Sequence, residues 1–385
     1  MDHCDVVIVG GGPAGSTCAR ELVQGGRDVI LLDKAAFPRD KVCAGWITPA
    51  VVDELQLELV DYQQGRVLQP ITGFRTSVRG GPELLTSFGR TVSFGIRRCE
   101  FDHYLLARCG ARLRLGEALE SLRRDGERWI VNEAVSASLL IGAGGHFCPV
   151  ARQVSKPGSQ SETVVLAQEI ELTLRESDVS SCRVEPMTPE LYFCEDLRGY
   201  AWCFRKGTVL NIGLGREGET RLSAEVERFR QWLSAQGRIP PGELPRFHGH
   251  AYRLYLGEPR TLTTDRALLI GDAAGLAYPQ SGEGIRPAVE SGLLAARAIL
   301  DSSTGDPSRL VTRYQQCLRE RLGTPRPAAK GRAGWLPSAW RRFAAHRLMR
   351  NRWFTRHVLL ERWFLHARHP PLQFSRQAVA TRHDN

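Results

Sequence analysis

Long apolar runs are missing from this chain. No stretch of its 385 residues approaches the roughly 18 consecutive apolar side chains that a membrane-spanning helix requires. The start, MDHCDVVIVG, shows neither a basic leader nor a small-residue cleavage site, so a cytoplasmic location is expected. The ten cysteines form no C-x-x-C pair and no zinc-type cluster, which argues against a structural metal and for reduced thiols. Internal repeats and low-complexity tracts are also missing. Acids and lysine are scarce in one place only: from Gly331 to Asn385 there are 11 arginines, no lysine and two acids, so nine of the ten net positive charges belong to that tail. Four of the eight tryptophans lie there too. With 42% apolar and 24% charged residues the chain can build a real core, and its length suits two to three domains or one large α/β fold carrying an insert.

The first residues contain a dinucleotide fingerprint in context. Asp5 to Val9 is a short apolar run, Gly10-Gly11-Gly12-Pro13-Ala14-Gly15 follows at once, and Ser16 to Gln24 suits a helix that Gly25-Gly26 stops. Asp28 to Asp33 then reads as the second strand of a βαβ unit, ending in an acid 18 residues beyond the third glycine. Gly10 permits the tight turn, Gly12 lets the backbone approach a pyrophosphate, and Gly15 lets the helix pack on the strand. The pyrophosphate would meet unpaired N–H groups at the positive end of the helix dipole, and Asp33 would accept hydrogen bonds from a ribose.

Further along, two β-like runs flank Arg124-Asp125-Gly126-Glu127 as a hairpin, and Ser138 to Gly142 reads as a buried strand running into Ala143-Gly144-Gly145. Strand-like alternation follows in Val164 to Leu172, Tyr200 to Arg205 and Thr208 to Leu214, which predicts an antiparallel sheet inserted into the nucleotide fold. A helix is expected over 223–236. The nucleotide pattern resumes with Ala267 to Asp272, a strand ending in Gly-Asp, and with Ser281-Gly282-Glu283-Gly284 before a small-residue helix from Ile285 to Leu300.

GGGPAG with Asp33, Arg98-x-x-Phe101-Asp102-x-x-Leu105, and Gly271-Asp272-Ala-Ala-Gly275 with Ser281-Gly-Glu-Gly284 together resemble the aromatic-hydroxylase-like class of FAD enzymes. Within that class the chain is most similar to the geranylgeranyl reductase family, through Lys41-Val-Cys43-Ala-Gly45 and Gly199-Tyr-Ala-Trp202-Cys-Phe204 leading to Asn211-Ile-Gly213-Leu-Gly215. The resemblance implies a Rossmann-like α/β FAD-binding fold over residues 1–160 and 261–305, an inserted antiparallel substrate-binding sheet over 161–260, and a basic, aromatic-rich helical region over 306–385.

On this resemblance the FAD contacts fall to Gly10, Gly12, Pro13, Ala14, Gly15, Asp33, Lys34, Ala44, Arg98, Gly271, Asp272, Gly282, Gly284 and Ile285, with no residue assigned to a metal. Asp272 would take a ribityl hydroxyl. The turn from Gly282 to Ile285 would aim a helix N-terminus at the pyrimidine edge of the isoalloxazine, where negative charge collects on reduction. Arg98 would lie beside the ribityl or phosphate portion, unless it is a surface member of the Arg97-Arg98 pair. Cys43 and Trp202 are the candidate catalytic residues. A thiol facing the flavin could give a proton to a substrate carbon or order the reduced ring, whereas a small buried cysteine is the plainer reading. Trp202 and Phe204 share a strand face with Tyr200 and would either wall a hydrocarbon pocket or pack in the core. Glu169 and Glu171 share a face as well, and with no visible partner they are expected to be solvated carboxylates.

The resemblance implies an FAD-dependent oxidoreductase that reduces C=C bonds of a prenyl, geranylgeranyl-type lipid by hydride transfer, its flavin reduced by NADPH or a small electron carrier. The alternatives are an FAD-dependent monooxygenase on a lipophilic or natural-product substrate, and a flavin-binding module without turnover. Two departures bear on the choice: Gly144 replaces the acid of an Asp-Gly pair usual in the hydroxylase branch, and the Trp-x-Trp-x-Ile-Pro element of flavin halogenases is absent. The arginine and aromatic tail suits an anionic bilayer surface, nucleic-acid phosphates, or a helical cap on the fold. A prenyl lipid has to be taken from a membrane, so the resemblance favours peripheral contact at the inner face of the membrane through residues 331–385 over nucleic acid. Oligomeric state is left open.

Overall fold

Val6 to Val9 are buried on both faces of their strand, the mark of a central parallel strand covered by helices. The strand Asp2–Val9 lies between Val29–Asp33 and Val135–Gly142 in parallel register, Val7 opposite Ile30 on one side and Leu140 on the other. Arg112–Leu115 and Ala267–Leu269 extend the parallel part, and the hairpin Leu122–Asp125 and Arg128–Val131 adds an antiparallel edge. The structure is a computed structural model that describes residues 1–155, 164–218, 222–240, 242, 244–256, 266–302, 307–323, 343 and 346–373. Helix Pro13–Gln24 and the long helix Ile285–Asp301 pack closely against each other: a Cβ on Gly292 would lie 2.6 Å from the carbonyl oxygen of Ala14.

The second sheet has seven strands, in the order His248–Arg253, Val164–Thr173, Val209–Glu217, Gly199–Lys206, Glu190–Phe193, Gly73–Val78 and Leu84–Ser87. Its last two strands come from within 1–160, so the sheet is not confined to 161–260, and Gly73–Val78 pairs parallel to Glu190–Phe193, so it is not purely antiparallel. The physical reason is Phe74, fully buried with its ring edge-on to Trp46 at 5.6 Å, in the same apolar cluster as Trp202 and Phe204. Helix Leu222–Ala235 covers the outer face, packing Val226, Phe229 and Leu233 on Ile170, Ile212 and Tyr192. A three-stranded sheet of Trp46–Ile47, Ser93–Ile96 and Leu68–Ile71 forms beside them.

Helix Pro307–Leu322 lies on Ile285–Asp301, and a helical run through Arg352–Phe354 and Thr355–Phe364 follows. Leu359, Leu360 and Phe364 are buried against the cluster of Trp46, Phe193 and Tyr200. This stretch of the tail is therefore a cap on the fold. Trp335, Trp340, Arg341 and Arg342 lie outside the described residues. Among the described residues no helix is long and apolar enough to cross a membrane.

Candidate active site

The glycine turn meets its steric demands residue by residue. Gly10 has φ +117°, and a Cβ there would lie 2.4 Å from the Ala143 carbonyl oxygen; at Gly15 it would lie 1.9 Å from that of Gly10. Gly12 is open, with only the Arg39 guanidinium at 3.5 Å. Pro13 starts the helix, no side chain caps it, and the orphan N–H groups of its first turn suit a phosphate. Asp33 sits buried at the end of its strand and accepts the Gly11 N–H at 2.8 Å and the Ala35 N–H at 2.9 Å, with Lys34 exposed beside it. In this structure the carboxylate thus braces the turn, a role beyond the ribose contact expected of it.

The second motif stands back to back with the first. Gly271, at φ +59°, would place a Cβ 3.1 Å from Ala14 Cβ, and its N–H donates to Ser291 Oγ at 2.9 Å. Asp272 Oδ1 lies 3.2 Å from the Cβ position of Gly284, so the carboxylate faces the N-terminus of Ile285–Asp301, which no side chain caps. Its other oxygen is 3.7 Å from His250 Nε2, and Lys41 Nζ is 2.9 Å from that same nitrogen. Burial pushes Asp272 up, but the neighbouring His250, Lys41 and Arg98 outweigh it and hold the carboxyl below its ordinary value. Burial pushes Lys41 and His250 down. Gly282, at φ +69°, leaves room for the Tyr252 hydroxyl, 2.4 Å from where a Cβ would be.

Arg98 is no surface arginine. It is buried and forms a bidentate pair with Asp102 at 2.9 Å for both contacts, while Arg39 reaches Asp102 at 3.3 Å. Burial opposes its charge, yet Asp102 and the nearby Cys43 thiol keep its pKa above the ordinary value.

Cys43 is half-buried in the loop that returns towards this site, packed against the apolar cluster of Ile96, Phe101 and Ile285, with its thiol beside Arg98 and accepting the Gly45 N–H at 3.4 Å. Ala44 packs into the apolar cluster of Trp46, Tyr200, Trp202 and Phe364. Trp202 spends its indole N–H on Asn211 Oδ1 at 2.6 Å and lays its ring where a Cβ on Gly213 would be only 2.3 Å away. It sits buried in that apolar cluster, with its one donor already engaged.

Glu169 and Glu171 are not solvated carboxylates. Glu169 is 5% exposed and accepts the Cys43 N–H and one Asn211 amide proton; Glu171 accepts from Lys206 at 2.6 Å and from Arg97 at 3.0 Å. Burial pushes Glu169 up to about 7. Burial also pushes Glu171 up, but Lys206 and Arg97 outweigh it and bring it below its ordinary value. Lys206 itself is fully buried. One signal for this network was available: polar residues at 169, 171, 206 and 211 occupy the inward register of strands whose outward register is apolar. His250 carried no comparable signal.

Two uncapped helix N-termini, an open glycine and a carboxylate at a strand end fit the phosphates and polyol of FAD. The sequence profile of the family described as FAD binding domain matches residues 3–321. The chain belongs to that family. Menaquinone reductase of Mycobacterium tuberculosis (strain H37Rv) is 32% identical over 341 residues, 81% of each chain. Digeranylgeranylglycerophospholipid reductase of Methanothrix thermoacetophila is 27% identical over 350 residues, 83% of this chain and 84% of that one. In fold, this flavoprotein is similar to a geranylgeranyl bacteriochlorophyll reductase-like protein of Thermoplasma acidophilum, with TM-score 0.71 and 20% identity over 91% of this chain and 88% of that one. A halogenase in complex with FAD is similar at TM-score 0.62 and 18% identity, over 82% and 74%. The flavoprotein is an FAD-dependent oxidoreductase of the geranylgeranyl reductase-like group.

Proposed function

We propose that this flavoprotein reduces carbon–carbon double bonds of a prenyl lipid, with Cys43 as the proton source. The observation that carries the reading is the position of Cys43, whose thiol lies beside the buried Arg98–Asp102 pair while the next residue, Ala44, packs into the apolar cluster of Trp46, Tyr200, Trp202 and Phe364. Relatives named as reductases of menaquinone and of a digeranylgeranyl phospholipid support it. When bound, FAD supplies the hydride. The turn at Gly10, Gly12, Pro13, Ala14 and Gly15, with Asp33 and Lys34, would hold the pyrophosphate end; Ala44, Arg98, Gly271 and Asp272 the ribityl portion; Gly282, Gly284 and Ile285 the pyrimidine edge. The apolar cluster would orient a hydrocarbon and exclude water, and the thiol would give its proton to the carbon next to the one that takes the hydride. Reducing equivalents come from NADPH or a small electron carrier in this reading.

The test is an anaerobic incubation of the FAD-loaded protein, reduced by NADPH or by dithionite, with a geranylgeranyl lipid. A product heavier by two hydrogens per bond is expected. A product heavier by one oxygen and formed only in air makes the protein a monooxygenase, and flavin binding without any product makes it a non-catalytic module; either result ends the proposal.

Access to such a lipid is the second part of the reading: a cytoplasmic protein lying peripherally on the inner face of the membrane. Trp353 is 65% exposed, Phe343 and Leu348 are exposed near it in the chain, and Arg347, Arg350 and Arg352 lie between. Arg356 connects this face to the edge strand Leu84–Ser87, donating to the Ser87 carbonyl at 3.0 Å. Aromatic and cationic side chains mixed in this way suit an anionic interface. Replacing Trp353 and Leu348 with serine is expected to lower flotation with anionic vesicles at least about fivefold. Equal flotation of variant and wild type refutes the contact.

A further inference from the structure

The three residues Cys43, Ala44 and Gly45 are gripped from below by side chains of the inner sheet face. Glu169 accepts the Cys43 N–H, Asn211 Nδ2 donates to the Cys43 carbonyl at 3.3 Å, and Lys206 Nζ donates to the carbonyls of Ala44 at 3.2 Å and Ile96 at 2.8 Å. The orientation of Asn211 follows from its neighbours: Oδ1 takes the Trp202 indole proton, while Nδ2 faces the Cys43 carbonyl, Glu169 and Glu171, all of them acceptors. Strand register places this floor directly, with Asn211 opposite Glu171 on one neighbouring strand and Phe204 on the other. Burying two carboxylates, an ammonium and an amide under one short loop is costly unless each is satisfied, and the loop's own peptide groups supply several of the partners.

We infer that Glu169 is a positioning residue for Cys43, holding its peptide jointly with Asn211 so that the thiol stays on the flavin side, and that the ionised carboxylate is the form that holds. The inference rests on the reading of Cys43 as proton source and deepens it. A carboxylate accepts from the Cys43 N–H and from Asn211 at the same time; once protonated, one oxygen becomes a donor facing donors, and the charge-assisted bond is lost. Burial raises Glu169, with Glu171 acting in the same direction, while the Cys43 N–H, Lys206 and Asn211 act against it; the result is a carboxyl that titrates at about 7. Lys206, two strands away, and Glu171, on the same strand, are the charged groups facing it, and Arg97 neutralises Glu171 from the far side. The grip therefore loosens as pH falls through neutrality.

The test reads Cys43 itself, by site-resolved mass spectrometry of iodoacetamide alkylation on FAD-loaded protein between about pH 5.5 and 8.5. In the wild type a step near pH 7 is expected in addition to the thiol's own ionisation. Glu169→Gln, which like the protonated acid sets a donor against the Asn211 amide, is expected to lose the step and to alkylate at the faster rate of the loosened form up to the alkaline end, at least about threefold above wild type there. Glu169→Leu is expected to alkylate about tenfold faster at every pH, because the peptide is released. Retained flavin absorbance reports that both variants are folded. A step that persists in Glu169→Gln, or a Glu169→Leu rate equal to or below wild type, overturns the inference. These outcomes do not depend on turnover, so they separate a failure of the Glu169 role from a failure of the proton-source reading.

Discussion

Cys43→Ser is expected to leave the protein yellow and folded while slowing prenyl-lipid reduction by about 10²–10⁴-fold, the range that a positioned proton donor contributes. The substitution is conservative where structure is concerned. Serine keeps an acceptor for the Gly45 N–H, which lies 3.4 Å from the sulfur, and the peptide groups that Glu169 and Asn211 hold are untouched. The glycine turn and Asp272 do not depend on the thiol, so FAD retention should match wild type. What changes is acidity, since a hydroxyl gives up its proton far less readily than a thiol. The other hydroxyls nearby offer no substitute: burial pushes both Tyr200 and Tyr252 above their ordinary values. The measurement is an anaerobic single turnover, following loss of the reduced-flavin spectrum after mixing with lipid. A Cys43→Ser rate within about threefold of wild type would remove the thiol from the reaction and leave its proximity to Arg98 as packing alone.

How far the site could be read in the sequence depended on whether a residue's requirement was local. Gly10, Gly15 and Gly282 are demanded by backbone geometry within a few residues or by one close neighbour, and such demands show as glycines at fixed spacing. Asp272 is legible for the same reason, as an acid at the end of a short apolar strand. Glu169 and Glu171 show the limit. Alternation along Val164–Thr173 tells which residues share a face, but their partners Lys206, Arg97 and the Cys43 N–H lie on other elements brought together by tertiary folding. The same limit hid the true extent of the second sheet. The strand Gly73–Val78 has as its neighbour Glu190–Phe193, more than a hundred residues away, and nothing local names that partner. In the tail, aromatic and cationic composition suggested a surface, whereas spacing sends Leu359, Leu360 and Phe364 into the core and leaves Trp353 outside.

Arg286→Met is expected to cost about 3–5 kcal/mol and to lower Tm by about 4–6 °C, because it removes one cation from a buried charge cluster and leaves the carboxylates in place. The guanidinium is fully buried. It bonds Glu290 at 2.8 Å, lies 3.6 Å from Glu54, and donates to the carbonyls of His366, His369 and Pro370, tying the end of the described tail to the long helix. Arg321 is the second cation, 2.6 Å from Glu290 and 3.5 Å from Glu54. Glu283 lies in the same region with no side-chain donor on either carboxyl oxygen among the described residues, and His366 is 3.7 Å from it, stacked on Tyr278 at 3.8 Å. Burial raises Glu54, with help from Glu290, and raises Glu283, each to about 8; burial, Arg286 and His369 lower His366 to about 3. For the two acids the stabilising neutral form is fully present below their unfolded value of 4.5 and its contribution is lost as pH rises through 8. For His366 the contribution is present above 6.5 and lost as pH falls towards 3. Wild-type Tm should therefore decline on both sides of the mildly acidic range. Without Arg286 the acids are pushed further up, so the deficit of the variant should be small near pH 5 and reach its full size near pH 8.5. Scanning calorimetry of FAD-loaded wild type and variant at three pH values distinguishes this from simple loss of packing, which would give one deficit at every pH and sink the electrostatic account of the cluster.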